Sequence, residues 1–546
     1  MKTRTSNNAH TANAPANAPA APAAPAAAPK NGWRTTLSRI AASPALFFVA
    51  VWAWSWLWWG DVIWTAHERS FFAFEWELVQ HVWSRPLGSL WVAGRALLAL
   101  YAWPWLGSLV FAVLLTGVAC CLKRICRARR LAALCYLPSV AWVAWLTFTS
   151  FNVYFKGEPG RIFGIPVLVL ALVGILAALT SMRHWGAQEP KPDFRFAWAL
   201  NLLPLTLLAL TAVWETQYRP WTRPTGTMER LYADEDWDGI RKTATDNATI
   251  TCRPMSAYYA IALVRQDAIM KHLFDIRFEY DSIYMYDWEG QLMNETSYYI
   301  SECDLHAGLA QFAYHKAMED MTMDGPTLHN LKLLTQVTAL RHEDKVARKY
   351  LNVLSRTPGT ADFVEKWSAY LADTVKMEKD PTVAGIRRLE PLHDNFESSY
   401  TDPAFLGYNL SLFEGRSRQA LINSVAVCLY TKLMPPFIER AQYLGEEGVL
   451  QNPIIADALA MQANKQPGIL EALPSLKLNL QRYQSFVRRM QALGATGNTQ
   501  ERIPYADGLF HESRGYYPYY YYFGNLRATR SDAAAKYGYG QSDGVN

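Results

Sequence analysis

Five long apolar stretches between residues 44 and 214 constrain the fold of this 546-residue chain more than any other feature. A helix needs about 20 mainly apolar residues to cross a bilayer, and each stretch approaches that length. The sequence therefore predicts about five transmembrane helices. They are Pro44–Trp64, a segment within Trp103–Leu122, Leu131–Ser150, Phe163–Met182 and a segment from about Phe196 to Trp214.

Tryptophan is concentrated in the same part of the chain. Of 21 Trp residues, 18 lie between Trp33 and Trp221, and indole rings prefer the interface between membrane and water. We therefore assign a membrane domain to residues 33–221, preceded by a disordered, Ala/Pro-rich cytoplasmic tail over residues 1–32. The apolar stretch Leu87–Tyr101 carries Arg95, so we interpret it as a helix at the outer surface and not as a sixth span.

The loops of the membrane domain alternate in charge. The segment before the first span and the loops 123–130 and 183–195 are basic, whereas the loops between them are mixed. Because basic loops stay on the cytoplasmic side, the pattern predicts a cytoplasmic N-terminus and a periplasmic C-terminal domain. The predicted location is the bacterial inner membrane, with the lipid bilayer as one partner.

Net charge separates the two halves of the chain. Residues 1–221 contain 19 Lys/Arg and 8 Asp/Glu, a net charge of +11, and the remaining residues contain 34 and 40, a net charge of −6. The overall value of +5 thus reflects the membrane loops. A slightly acidic domain without a basic stripe argues against nucleic acid as a partner.

Residues 222–500 have apolar positions at helical spacing, interrupted by short Pro- and Gly-containing breaks. Ala313 and Ala347 are 34 residues apart, the tetratricopeptide period, and we place them at equivalent buried positions in the second helices of consecutive hairpins. The predicted fold is all-α: about five transmembrane helices followed by a tetratricopeptide-like α-solenoid. A plain, irregular α-helical domain is the alternative.

Four short segments are similar to a known family. They are Tyr101–Ser108 (YAWPWLGS), Glu235–Ile240 (EDWDGI), Lys345–Leu351 (KVARKYL) and the Tyr-rich end of the chain. In these segments the chain resembles uncharacterised bacterial inner-membrane proteins, typical of Bacteroidota, with a tetratricopeptide-like C-terminal half. The resemblance implies this architecture and no assigned activity.

Asp61, at the outer end of the first predicted span, and Glu68, which follows it, are weak candidates for catalysis. A carboxylate at the outer interface resembles the catalytic position of membrane glycosyltransferases that use lipid-linked sugars, where it acts as a general base or holds a metal. Solvated loop acids are the plainer interpretation. The chain has no phosphate-binding loop, H-E-x-x-H, G-x-S-x-G or C-x-x-C motif.

The C-terminal segment, residues 501–546, contains an unusual row of aromatic residues that we expect to be partly extended or disordered. The row could stack on a sugar or peptide, but an extended strap packed in the groove of the solenoid is the favoured interpretation. Its members are Tyr516, Tyr517, Tyr519, Tyr520, Tyr521, Tyr522 and Phe523.

Metal and thiol chemistry have little support in the sequence. Asp234–Gly239 (DEDWDG) resembles the start of a calcium loop, but Thr245 stands where the closing glutamate is required. An acidic helix N-terminus is the preferred interpretation, and no metal or cofactor is expected. Cys252 and Cys303 could pair in an oxidising periplasm or remain buried thiols.

These observations favour a membrane-anchored scaffold whose periplasmic helical repeats bind an envelope protein or peptide. The alternative is a membrane enzyme that acts on lipid-linked glycans with acids near Asp61.

Overall fold

The computed structural model describes residues 36–37, 40–126, 132–149, 157–182, 197–250, 252–277, 285–286, 292–293, 298–390, 417–430, 432–464, 468–469, 479–497 and 499–524. Within these residues the secondary structure is helical, apart from one antiparallel pair of two-residue strands, β1 (Met285–Tyr286) and β2 (Leu292–Met293). The all-α prediction is therefore confirmed. The predicted disordered tail, residues 1–32, lies outside the described residues.

The N-terminal part contains eight described α-helices. They are α1 (Pro44–Ala53), α2 (Gly60–Glu68), α3 (Trp76–Trp83), α4 (Gly88–Leu98), α5 (Pro104–Cys126), α6 (Leu137–Thr149), α7 (Arg161–Met182) and α8 (Ala197–Tyr218). Four helical stretches are long and apolar enough to cross a membrane: α5, α6 with its preceding turn, α7 and α8. The bent pair α1–α2 makes a fifth if it counts as one span.

The first predicted span is not one straight helix. A π-helical turn, Trp54–Trp58, follows α1, and the chain bends by 66° before α2 begins at Gly60. Such turns interrupt the regular backbone hydrogen bonds and are a known cause of kinks. Beyond the bend, α2 packs against helices of the C-terminal half. The part of Pro44–Trp64 that follows the bend therefore belongs to the junction between the two halves of the protein.

The stretch Leu87–Tyr101 is too short to count among the candidate spans, in agreement with the prediction that it is not a sixth span. Its helix, α4, packs along α7. Arg95 of α4 is buried and its Nε lies 2.6 Å from Oε1 of Glu158, so its charge is neutralised inside the protein. Gly94 permits this close packing: a Cβ at this position would lie 2.0 Å from the carbonyl oxygen of Gly160.

The C-terminal half follows directly from α8. Its described α-helices are α9 (Thr222–Ala233), α10 (Trp237–Asp246), α11 (Arg253–Arg265), α12 (Ile269–His272), α13 (Tyr298–His306), α14 (Ala310–Asp324), α15 (Leu328–Leu340), α16 (Asp344–Leu354), α17 (Ala361–Ala372), α18 (Thr374–Glu378), α19 (Pro381–Leu389), α20 (Arg418–Tyr430), α21 (Met434–Leu450), α22 (Pro453–Ala463), α23 (Leu480–Ala492), α24 (Thr499–Arg502), α25 (Ala506–Ser513) and α26 (Tyr517–Phe523).

Consecutive helices from α13 to α17 pack against their neighbours in sequence. Ala313 on α14 and Ala347 on α16 are both fully buried and belong to one hydrophobic cluster. The series then turns back, since α19 packs against α13. Arg265 fixes this closure by donating hydrogen bonds to the carbonyl oxygens of Thr382, at 3.1 Å, and His306, at 2.9 Å. The helices thus surround a central cleft.

The prediction of an extended aromatic strap is wrong, because the row forms the helix α26. Side chains of the row are buried in the largest hydrophobic cluster of this half, against α20 and α22. Tyr517 and Tyr520 donate hydroxyl hydrogen bonds to the carbonyl oxygens of Leu429, at 3.1 Å, and Tyr430, at 2.7 Å. Apolar rings with satisfied hydroxyl groups suit a core helix.

Candidate functional site

A cleft of about 460 Å³ lies where α2 meets the C-terminal half. Its walls come mainly from α2, α9, α10, α13, α15, α17 and α19. The volume is within the range of protein ligand sites, which are concave and contain a few convergent polar groups. The ionisable residues of the wall are Glu68, Glu229, Arg230, Asp234, Glu235, Glu302, Lys332, Asp362, Lys366 and Asp380, with His67, His306 and His329.

Glu302 on α13 is the central acid of the cleft and is 2% exposed. The Tyr258 hydroxyl is a hydrogen-bond partner of its carboxyl group, and His329 Nδ1 lies 3.5 Å from Oε1. Its other oxygen, Oε2, has no hydrogen-bond partner among the described residues. Burial, together with the negative charges of Glu229 and Glu68, raises the pKa of Glu302 well above its usual range. Burial therefore favours the protonated, neutral form of Glu302.

His306, one helical turn after Glu302, is also buried and neutral. Burial and the positive charge of Arg265 hold its pKa well below the ordinary value. His306 Nε2 and the Tyr232 hydroxyl are 2.9 Å apart, whereas Nδ1 has no hydrogen-bond partner among the described residues. A neutral imidazole has one donor and one acceptor nitrogen. Nδ1 of His306 can therefore still donate or accept one hydrogen bond, depending on the tautomer.

Ion pairs across the cleft neutralise several of its charged groups. Lys332 Nζ lies 2.7 Å from Oε2 of Glu68, and Lys366 Nζ lies 2.8 Å from Oε1 of Glu235 and 3.6 Å from Oδ2 of Asp380. The pair of Glu68 and Lys332 joins α2 to α15. The two contacts of Lys366 join α17 to the loop before α10 and to the start of α19. Glu302 and His306 are not members of these pairs, and each has one buried polar atom without a hydrogen-bond partner among the described residues.

Aromatic rings form one side of the cleft next to His306. The centroid of Tyr232 is 6.0 Å from that of Trp237 and 5.4 Å from that of Tyr258, and Trp237 lies 5.6 Å from the ring of His306. Trp237, at the start of α10, is only partly buried. The site thus combines an accessible aromatic face with buried hydrogen-bonding groups.

The structure brings one of the two acids proposed from the sequence to the cleft. Glu68 is the last residue of α2 and lines the cleft, buried rather than a solvated loop acid as the plainer interpretation held. Asp61 lies outside the cleft wall: Thr227 donates a hydrogen bond to its Oδ2 at 2.7 Å, and Arg230 Nη1 donates to Oδ1 at 3.0 Å.

The central residues of the cleft, Glu302, His306 and His329, were not singled out by the sequence analysis. One local signal existed, since Glu302 and His306 are four residues apart and therefore share a face of a helix. Their burial depends on contacts with distant parts of the chain. Hydropathy and motif searches do not reveal such contacts.

The other candidate motifs have structural roles. Asp236 caps α10, because its side chain accepts a hydrogen bond from the backbone N–H of Gly239 at 2.9 Å. Cys252 and Cys303 are present as buried thiols. Within the described ranges no group of three or more His, Cys, Asp or Glu side chains is arranged to hold a metal ion.

The fold and cleft define a class: an α-helical protein with several membrane-span-like helices and a large helical domain joined to them through a polar junction. Comparison with protein families matches residues 36–214 and 164–524 to the family of unknown function DUF6057. The chain belongs to this family. No curated protein and no solved structure matches the chain.

Proposed function

We propose that the protein is a multi-pass protein of a bacterial inner membrane, with a cytoplasmic N-terminus and a periplasmic helical domain built from tetratricopeptide-like hairpins. The charge of the loops supports this orientation. The helical domain contacts the membrane part directly, since α2 extends the first span and packs on α9 and α15.

We further propose that the protein binds a ligand in the cleft at this junction. The observation that carries the proposal is that Glu302 and His306 line a cavity of about 460 Å³, while Glu302 Oε2 and His306 Nδ1 are buried without a hydrogen-bond partner in the part of the chain that the structure describes. Leaving a buried polar atom unpaired costs about 1–3 kcal/mol. Groups that the protein leaves unpaired next to an open cavity are well placed to bind a ligand.

Binding accounts for the geometry better than catalysis by Asp61. A general base has to lie within reach of the bound substrate, and Asp61 is not among the residues that line the cleft. Its carboxylate instead accepts hydrogen bonds from Thr227 and Arg230 of α9. The envelope protein or peptide proposed from the sequence fits this scheme only if part of it enters the cleft. The aromatic row of α26 contributes mainly to the protein's own core.

The test is to fill the cleft and ask whether the protein still functions in cells. Gln336 on α15 lines the cleft and is half-buried, so Gln336→Trp should occupy the space. The matched control is Tyr443→Trp on the exposed side of α21, where the side chain is 68% exposed. Both variants are introduced into a strain that lacks the gene.

At equal protein abundance, we expect Gln336→Trp to give the phenotype of the gene deletion and Tyr443→Trp to restore the wild type. Abundance has to be matched because an unfolded variant is degraded. Full complementation by Gln336→Trp would contradict a functional role for the cleft.

A further inference from the structure

Two buried side chains that line the cleft, those of Glu302 and His306, indicate the chemistry of a ligand. Glu302 Oε2 and His306 Nδ1 lie on consecutive turns of α13, and neither has a hydrogen-bond partner among the described residues. A protonated carboxyl group and a neutral imidazole both donate and accept hydrogen bonds. A ligand that satisfies both needs groups that donate and accept in turn, and a hydroxyl group does so.

The charges of the cleft favour a neutral ligand. Glu68 is paired with Lys332, and Glu235 and Asp380 are both paired with Lys366. A charged group placed against the buried side chains of Glu302 and His306 would have to break one of these pairs or remain buried without a counter-ion, and each option is costly. Asp234 and Asp362, the remaining acids of the wall apart from Glu229, are exposed. Glu229 is paired with Arg69 at 2.7 Å.

The aromatic side of the cleft adds a face for stacking. Trp237 is only partly buried and lies beside His306, with ring centroids 5.6 Å apart. The C–H face of a pyranose ring is apolar, whereas its edge carries hydroxyl groups. A ring that stacks on Trp237 would therefore present hydroxyl groups towards the buried side chains of α13.

We propose that the cleft binds a neutral saccharide unit, with Glu302 and His306 as hydrogen-bonding partners of its hydroxyl groups and Trp237 against its ring. This inference rests on the proposed binding function and names its substrate class. Trp64 and Pro104, from helices of the membrane part, also line the cleft. The saccharide can therefore be a free sugar or the head group of a lipid.

The experiment uses the full chain in lipid nanodiscs, without glycoside detergents that would compete. Binding of neutral mono- and disaccharides is measured by isothermal titration calorimetry. Glucosamine and glucuronic acid serve as the positively and negatively charged counterparts of glucose. We expect saturable binding of at least one neutral sugar and weaker binding of both charged counterparts. Octyl glucoside below its micelle concentration, compared with glucose, distinguishes a lipid-linked source from a free sugar by its higher affinity.

Two substitutions of Glu302 separate hydrogen bonding from charge. Glu302→Gln keeps a neutral donor and acceptor and should change affinity by less than about threefold, whereas Glu302→Leu should weaken binding about tenfold or more. Glu447→Leu, an exposed position on α21, is the matched control and should have no effect. Trp237→Ala, at a partly exposed position, provides the same test if Glu302→Leu does not fold.

Tighter binding of glucosamine or glucuronic acid, loss of binding in Glu302→Gln, or no binding of any neutral saccharide in the panel would overturn the inference. These results differ from failure of the proposed function. If no saccharide binds but Gln336→Trp still abolishes function in cells, the cleft remains the functional site and its ligand belongs to another class.

Discussion

Glu68 and Lys332 are 264 residues apart in sequence and form an ion pair in which Lys332 Nζ lies 2.8 Å from Oε1 and 2.7 Å from Oε2 of the carboxylate. The pair joins α2, which follows the first apolar helix α1, to α15 of the helical domain. Asp61 with Arg230 and Glu75 with Arg356 repeat the same arrangement. Acids that follow the first span thus bind cations of the distant half.

Breaking the Glu68–Lys332 pair should destabilise the protein. Lys332→Met leaves a largely buried carboxylate without its cation, which typically costs about 3–5 kcal/mol. Adding Glu68→Gln to Lys332→Met should recover part of this loss. Denaturant unfolding of the detergent-solubilised protein measures both effects. Asp238→Asn, which removes an exposed pair with Arg241, should cost less than about 1 kcal/mol. If Lys332→Met and Asp238→Asn lowered the free energy of unfolding equally, the Glu68–Lys332 pair would not have the stabilising role assigned to it.

The aromatic row should act through the core of the helical domain. Tyr520 is buried, and its hydroxyl donates to the carbonyl oxygen of Tyr430. Tyr520→Ala should lower the free energy of unfolding by about 3–5 kcal/mol. Tyr521→Ala, at a half-buried position of the same helix, should cost clearly less. A partner-binding row would behave differently, with Tyr520→Ala impairing function while the unfolding midpoint stays unchanged.

The stability of the cleft should depend on pH through His329. Burial and the nearby cations Arg69 and Lys332 lower its pKa from the ordinary 6.5 to about 3, against an opposing effect of Glu68. The unfolded chain then binds more protons than the folded one between these values, so this stabilising contribution is present above pH 6.5 and lost as the pH falls towards 3.

His329→Gln should remove this pH dependence. Between pH 7 and pH 5, the wild type should lose about 2 kcal/mol that the variant does not lose. Burial raises the pKa of Glu302, so Glu302 changes the stability with pH in the opposite direction. Because Glu302 is present in both proteins, the difference between their stability profiles reports on His329. Identical stability profiles from pH 7 to pH 5 would show that the imidazole is not buried in its neutral form.

Local patterns were sufficient for the long apolar helices and insufficient for the site. Hydropathy is a property of consecutive residues, so the span predicted over Phe163–Met182 agrees with α7 to within two residues at its start. The break at Trp54–Trp58 was missed because a π-helical turn has no strong sequence signature. The aromatic row was assigned to the wrong conformation, since tertiary packing decides the structure of such a segment. The cleft was missed because Glu68, Glu302 and His329 meet only after folding.

The orientation in the membrane can be tested by reporter fusions. Alkaline phosphatase is active only outside the cytoplasm, so a fusion after Trp221 should be active and a fusion at Arg127 inactive. The loop charges give the physical reason. The opposite pattern would place the cleft on the cytoplasmic side and remove the support for a periplasmic ligand.

Complementation of a gene deletion by two variants of Glu302, at equal protein abundance, tests most simply whether the protein works by binding a ligand in the junction cleft. We expect that Glu302→Gln, which preserves a neutral hydrogen-bonding group, restores function and that Glu302→Leu does not. Restoration by both variants would contradict a role for the cleft. Failure of a folded Glu302→Gln protein would show instead that the carboxyl group itself is required, as in catalysis.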